Sequence, residues 1–195
     1  SGYKSSKTGF AFGTSFEQYE DLTISPRISS FIEKLETNSS ASATLKKQEG
    51  DYFDTSLGYT LIYDKRNRRF RASEGYLSKF LQNIPLISDD RSILNGYELS
   101  KYNSWGEEFV TNISLYTRSI NSLDNTKDVR ISDRLSLPRS KLKGFEQAKV
   151  GPKDGSDYIG GNYAASLNFS SNIPMLLPSV EVMDINFFVD AGNVW

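Results

Sequence analysis

Neither histidine nor cysteine occurs in this sequence, so its ionic chemistry rests on lysine, arginine, aspartate and glutamate. The commonest general base and the commonest metal ligand are therefore missing, and hydrolases built on a Ser/His pair are excluded. Thiol chemistry and disulfides are excluded as well. The 23 basic and 24 acidic residues leave a net charge of −1, which gives no reason to expect a nucleic-acid partner. One stretch concentrates what remains: "RSKLKGFEQAKVGPKDGSDYIGGN", Arg139 to Asn162, with five glycines and spaced basic residues. It lacks the GK[ST] of a phosphate cradle, and Asp154 and Asp157 do not have the spacing of a calcium loop. No metal or cofactor is expected, and no enzymatic activity. A loop this long is uncommon in a compact domain unless it is used. If it folds against a wall, its cations need anions and hydrogen bonds there.

Period-2 alternation supplies such a wall. In "DYFDTSLGYTLIYD", Phe53, Leu57, Tyr59 and Leu61 share one face, and Asp54, Ser56 and Gly58 the other. "GGNYAASLNFS" sets Tyr163, Leu167 and Phe169 against Asn162, Ser166 and Asn168. "VMDINFFVDAGNVW" sets Met183, Ile185, Phe187 and Val189 against Asp184, Asn186, Phe188 and Asp190. Weaker alternation runs through Phe10–Phe16, Leu22–Glu36, Tyr76–Leu86, Ile93–Tyr102 and Phe109–Ser119, making eight strands. No segment has helical spacing.

Two architectures share this pattern. A soluble sandwich or lipocalin-like barrel buries its apolar face; a transmembrane barrel turns it to lipid. Periodicity does not say which face is inside. The small, polar second face favours a water-facing lumen. Connections add that most odd-numbered gaps are short, whereas the second (Thr37–Gly50) and sixth (Ser122–Gly160) are long and polar, the short fourth ("ISDDRS") being an exception. Short turns at one end and long loops at the other are the outer-membrane barrel pattern. Tyr19, Tyr63, Tyr76, Tyr102 and Trp105 gather near the short-turn end, as an interfacial girdle would. The chain starts at Ser1 and ends inside an apolar run at Trp195, which reads as a piece of something longer.

"LKGF", Leu142–Phe145, resembles the [VL]RGF motif of the sixth loop in the BamA-type outer-membrane protein assembly factor superfamily (the bacterial surface antigen barrel). "DVRISDRLSLPRSKLKGF" is similar to that family's run-in, and "GPKDGSDYIGGN", with Gly151, Gly160 and Gly161, to its exit from the loop. "YTLIYDKRNRRFRASEGY" resembles its strand–turn–strand, with Asn67 for Asp and Ala72 where proline is usual. "NFFVDAGNVW" resembles an internal strand, which argues against Trp195 as a C-terminal insertion signal. The four matches keep family order across nearly the whole chain.

The resemblance implies an all-β, antiparallel up-and-down transmembrane β-barrel. This chain would supply about eight strands, roughly the sixth to the thirteenth, of a larger sixteen-stranded barrel. Residues 1–195 would form one partial barrel domain whose loop, 122–160, folds inward. The function implied is folding and insertion of β-barrel clients into the bacterial outer membrane, with bilayer, unfolded clients and accessory assembly lipoproteins as partners. A TamA-type or two-partner-secretion paralogue is the alternative, and a passive porin a more distant one. In the family the motif's arginine contacts acids on the next two strands. Here those positions are Asn168 and Asp190, both on the polar parity. Lys143 replaces the arginine, so the fork and one acid are lost together. Lys143 is expected to pair with Asp190, with Asn168 offering its carbonyl. Gly144 is expected to allow close approach to the wall, Phe145 to anchor the tip in an apolar niche, and Gly160 and Gly161 to open the next strand.

Overall fold

The computed structural model describes residues 2–106, 109–173 and 185–195; Met183 and Asp184, assigned to opposite faces of the last strand, lie outside them. In chain order the elements are β1 (Tyr3–Gly13), β2 (Phe16–Tyr19), β3 (Leu22–Thr37), α1 (Ala43–Lys46), β4 (Gly50–Asp64) and β5 (Gly75–Ser88). They continue with β6 (Ser92–Ser104), β7 (Val110–Ser122), β8 (Lys153–Asp154), β9 (Asp157–Tyr158), β10 (Tyr163–Ile173) and β11 (Ile185–Val194). One antiparallel sheet runs β1-β3-β4-β5-β6-β7-β10-β11, with β2 also paired to β3. β8 and β9 form a separate small hairpin inside the long loop.

Prolines stand at two of the irregularities. Gly13 pairs with Arg27 and Phe16 with Ile24, so β1 and β2 are one edge strand that keeps its register across the break at Thr14–Ser15 and shifts between Glu17 and Tyr19. The Thr14 N–H donates to the Pro26 carbonyl at 3.1 Å, but Pro26 has no N–H to return. The alternation at Phe10–Phe16 therefore marks the middle of a strand that begins at Tyr3. In β5 the pairing jumps from Ile87 to Pro85 opposite Thr55 and Ser56, a bulge that leaves Leu86 out. The second connection holds a single helical turn, α1, not foreseen from spacing; Ser42 caps it by accepting from the Leu45 N–H at 3.3 Å.

The faces separate cleanly. Phe10 and Phe12 are 69% and 74% exposed, and Leu57, Leu167, Phe187 and Val189 are exposed on the same face. Tyr59, Leu61, Phe169 and Ile185 are half-buried by their neighbours. Among the described residues, no layer packs over this apolar face. In water it would be a large unpartnered patch; in hydrocarbon it is simply solvated. Strands of 10–16 residues suffice to cross a bilayer at a tilt. On the other face Asp54, Ser56, Ser166 and Asn168 are buried, beneath the long loop. Tyr102 is a correction to the girdle: it pairs with Gly75, one residue out of step with outward-facing Tyr76 and Lys101, and so takes the polar parity. Tyr63 and Tyr76 stay together on the outer face, ring centroids 5.9 Å apart.

Most of the buried apolar side chains form two clusters between loop and wall. Leu137 and Leu142 of the loop pack with Tyr116, Ala164 and Val194. Ile131 of the loop packs with Leu35, Ala41 and Leu45. Each fully buried leucine or isoleucine contributes roughly 1.5–3 kcal/mol relative to exposure.

Candidate functional site

The loop between β7 and β10 is seated on the polar face at three successive ion pairs, each joining a loop cation to a wall acid. The first is the most enclosed. Arg130 has 2% of its side chain exposed; its Nε lies 3.2 Å from Glu33 of β3 and its Nη2 reaches Asp54 of β4 and, at 2.8 Å, Asp133 of the loop. The guanidinium carbon sits 4.5 Å from the Tyr52 ring centroid, a cation–π contact. Burial opposes its charge, but Asp133 and Asp54 outweigh burial and hold Arg130 above the ordinary arginine range. Glu33 is also bonded by Ser5 of β1 and by Ser132 of the loop at 3.0 Å, and Lys7 lies 3.6 Å away. Three carboxylates thus share Arg130 and Lys7.

The second pair joins Lys141 to Glu98 of β6 at 3.0 Å, with Arg118 of β7 on the other carboxylate oxygen. Tyr116 lies beneath both cations, 5.4 Å from Lys141 Nζ and 4.4 Å from the Arg118 guanidinium carbon. The third is the motif. The Lys143 backbone N–H donates to Asp190 Oδ2 at 2.9 Å, and its Nζ lies 3.7 Å from Oδ1 and 4.4 Å from the Phe188 ring centroid. Asp190 has only 3% of its side chain exposed, and its Oδ1 accepts no hydrogen bond among the described residues.

Four expected roles change. Asn168 does not offer its carbonyl to Lys143; its amide donates to the Lys141 carbonyl at 2.8 Å, because that backbone lies directly above it. Gly144 does not mediate close approach: a Cβ there would meet nothing within 4 Å, and the residue serves the turn through its φ of +82°. Close approach belongs to Gly151 and Gly161, where a Cβ would come 2.9 Å from the Val194 side chain and within contact of the Trp195 backbone. Phe145 fills no niche; it is 58% exposed. Gly160 and Gly161 precede β10 rather than open it, Gly161 forming a β-bridge with Leu135. Leu142 is buried at 4% exposure and anchors the motif instead.

Sequence reasoning missed Arg130, Glu33, Lys141 and Glu98. The available signal was one acid at the wall parity in each of "FIEKLE" and "GYELSK", facing a run-in rich in basic residues. No group of acids suited to a metal occurs among the described residues. The arrangement binds a loop to a wall.

The sequence matches the Omp85 superfamily domain over residues 1–195. It is 31% identical over 170 residues to a SAM50-like protein of Schizosaccharomyces pombe, covering 79% of this chain and 34% of that one. It is 28% identical over 160 residues to the sorting assembly machinery 50 kDa subunit of Saccharomyces cerevisiae, covering 78% of this chain and 32% of that one. The chain thus spans about a third of the length of those relatives. The fold superposes on Haemophilus ducreyi BamA lacking POTRA domains 1–3 with a TM-score of 0.87 at 21% identity, covering 99% of this chain and 42% of that one. These sequence relatives are eukaryotic, so the comparisons carry an outer-membrane family without carrying the bacterial origin expected above. With its fold that of a BamA barrel segment and its whole length matched, the chain belongs to the Omp85 superfamily.

Proposed function

We propose that this chain is the central wall and bracing loop of an outer-membrane barrel that folds and inserts β-barrel client proteins. The observation that carries the reading is the loop pinned over the polar face through Arg130, Lys141 and Lys143. A passive porin needs that lumen open; here the loop lies where the solute would pass. No covalent step is involved: the work is positional, performed by an openable seam contributed by strands beyond this segment and held to a fixed shape by the braced wall. Bilayer, unfolded clients and accessory assembly proteins are the partners this implies. Among outer membranes we assign the mitochondrial one ahead of the bacterial one, on the eukaryotic origin of the sequence relatives.

The test uses the full-length protein in lipid vesicles with a urea-unfolded β-barrel client, scored by protease-protected folded client. Acceleration over empty vesicles, weakened when Arg130 is replaced, supports assembly. A steady open conductance with no acceleration would favour a porin, and export of a client across the bilayer without its insertion would favour a translocation paralogue. Imaging the tagged full-length protein in its own cells decides between the two membranes.

A further inference from the structure

The β4–β5 turn takes no part in seating the loop, yet "KRNRRFR" places five cations in the seven positions from Lys65 to Arg71. Its backbone is tied down. The Lys65 N–H donates to the Tyr76 carbonyl at 2.8 Å and the Asn67 N–H to that of Glu74 at 3.1 Å. Asn67 Oδ1 then accepts from the Ser73 and Glu74 N–H groups at 3.1 and 3.2 Å. Arg66 forks onto Asp64 with both bonds at 2.8 Å, and Lys65 pairs with Asp21. Arg68 and Arg69 are exposed, and neither makes a direct ion pair with a carboxylate among the described residues, Arg69 acting on Asp64 only at longer range. Between them and Arg71 stands Phe70, 82% exposed, on a tip that the hydrogen bonds hold in place.

The surroundings say what such a tip meets. Tyr19 and Trp105, 68% and 67% exposed, and the Tyr63–Tyr76 pair mark the membrane–water boundary at this end of the sheet. Lys101, exposed on the outer parity, pairs with Tyr76 in the ladder and adds a cation at that level. The turn runs from Lys65 to Glu74 and Phe70 stands six residues from Tyr76, so its tip stays within roughly 20 Å of the boundary at ~3.3 Å per residue. Unpaired arginines beside a bare phenylalanine at that height complement phosphates above an acyl layer. A cation and an apolar side chain together are the two signals that interfacial anchoring requires.

We propose that this turn docks on the headgroups of an anionic phospholipid leaflet, with Arg68 and Arg69 on phosphates and Phe70 in the upper acyl layer. It rests on the sheet spanning a membrane, and not on client assembly. The two arginines give the barrel a preferred depth and a preference for acidic lipid at its short-turn end.

The test uses the full-length barrel, other cysteines replaced, carrying an environment-sensitive fluorophore at Phe70→Cys. It is placed in nanodiscs of phosphatidylcholine alone or with about 20 mol% phosphatidylglycerol. Heat-modifiable migration on gels verifies barrel insertion separately, and client folding is scored separately, so an inserted barrel inactive on clients sinks the functional reading and not this one. The expected result is blue-shifted emission shielded from iodide only in the acidic discs, reversed between ~0.05 and ~0.5 M salt. Arg68→Ser with Arg69→Ser should weaken the preference for acidic lipid about 20- to 30-fold. Inorganic phosphate added to neutral discs should leave the emission unchanged. Emission independent of lipid charge, an undiminished response in the double variant, or a response to free phosphate alone would each overturn the proposal.

Discussion

Asp190 holds Lys143 twice, through the main chain and through the side chain. Oδ2 accepts the Lys143 backbone N–H at 2.9 Å, while Oδ1 faces the ammonium at 3.7 Å. The two contacts differ in strength. A hydrogen bond to a buried carboxylate contributes roughly 1.5–3 kcal/mol. A looser pair to an ammonium that is 41% exposed contributes at most about 1 kcal/mol.

Truncations at the two ends should therefore be unequal. In the intact protein, Asp190→Ala should speed proteolytic cutting near Lys143 by at least ten-fold, whereas Lys143→Ala should change it less than about five-fold. Charge reversal at both positions should not restore protection, because a basic side chain at 190 cannot accept the backbone N–H. Lys143→Arg should slow cutting below the natural rate, since a guanidinium brings a directed donor to the unbonded Oδ1. Phe145→Ala, at an exposed tip, should do nothing to either rate.

The larger lever is Arg130. Removing it leaves Glu33, Asp54 and Asp133 gathered with only Lys7 between them. Breaking a buried pair by deleting one partner costs about 3–5 kcal/mol. Arg130→Met should lower the unfolding free energy of the full-length barrel by about 3–5 kcal/mol in a urea titration of heat-modifiable migration. Arg130→Lys should recover little, because one ammonium cannot stand both where Nε faces Glu33 and where Nη2 holds Asp54 and Asp133. Recovery in Arg130→Met combined with Glu33→Gln and Asp54→Asn would locate the cost in the stranded carboxylates.

These contacts divide by how far the sequence reveals them. Alternation in β4, β10 and β11 determined which side chains face the loop, because a one-residue slip would reverse every residue of a strand. The Lys143–Asp190 approach was accessible for the same reason: one residue lay in a motif and the other on a known parity. Arg130 was not, since nothing local in "DVRISDRL" says which of its charged residues turns inward. Glu33 and Arg130 are 97 residues apart and meet only because β3, β4 and the loop converge. Asn168 was placed on the correct face but given the wrong partner, as an amide's choice between donating and accepting depends on which backbone group passes over it. The turn α1 escaped notice because one helical turn has no periodicity to detect.

The glycines of the loop can be ranked on the same grounds. Gly151→Ala combines a φ of +111° with a Cβ 2.9 Å from the Val194 side chain, so strain and overlap add. Gly144→Ala has open space and incurs only the left-handed backbone penalty, roughly 1–2 kcal/mol. The unfolding midpoint should fall further for Gly151→Ala than for Gly144→Ala. The reverse order would mean that the loop at Gly151 does not lie against β11 in the folded barrel.

Leu57 and Asn83 test the faces directly. Leu57 lies on the apolar face, 39% exposed and flanked across the ladder by Ile28 and Ile84. Asn83, opposite Gly58, lines the polar cavity beneath Arg130. An arginine on the lipid face near the bilayer midplane costs about 2–4 kcal/mol, because its charge leaves water and finds no anion. The same residue on the lumen face keeps its water and has Asp54 and Asp90 among the residues lining that cavity. Leu57→Arg should therefore destabilise the full-length barrel in vesicles by about 2–4 kcal/mol, and Asn83→Arg by less than about 1 kcal/mol, measured by urea titration of heat-modifiable migration. In detergent micelles the Leu57→Arg cost should shrink, since a micelle deforms around a charge more readily than a bilayer. Equal costs at the two positions in vesicles would show that the face bearing Leu57 does not meet lipid.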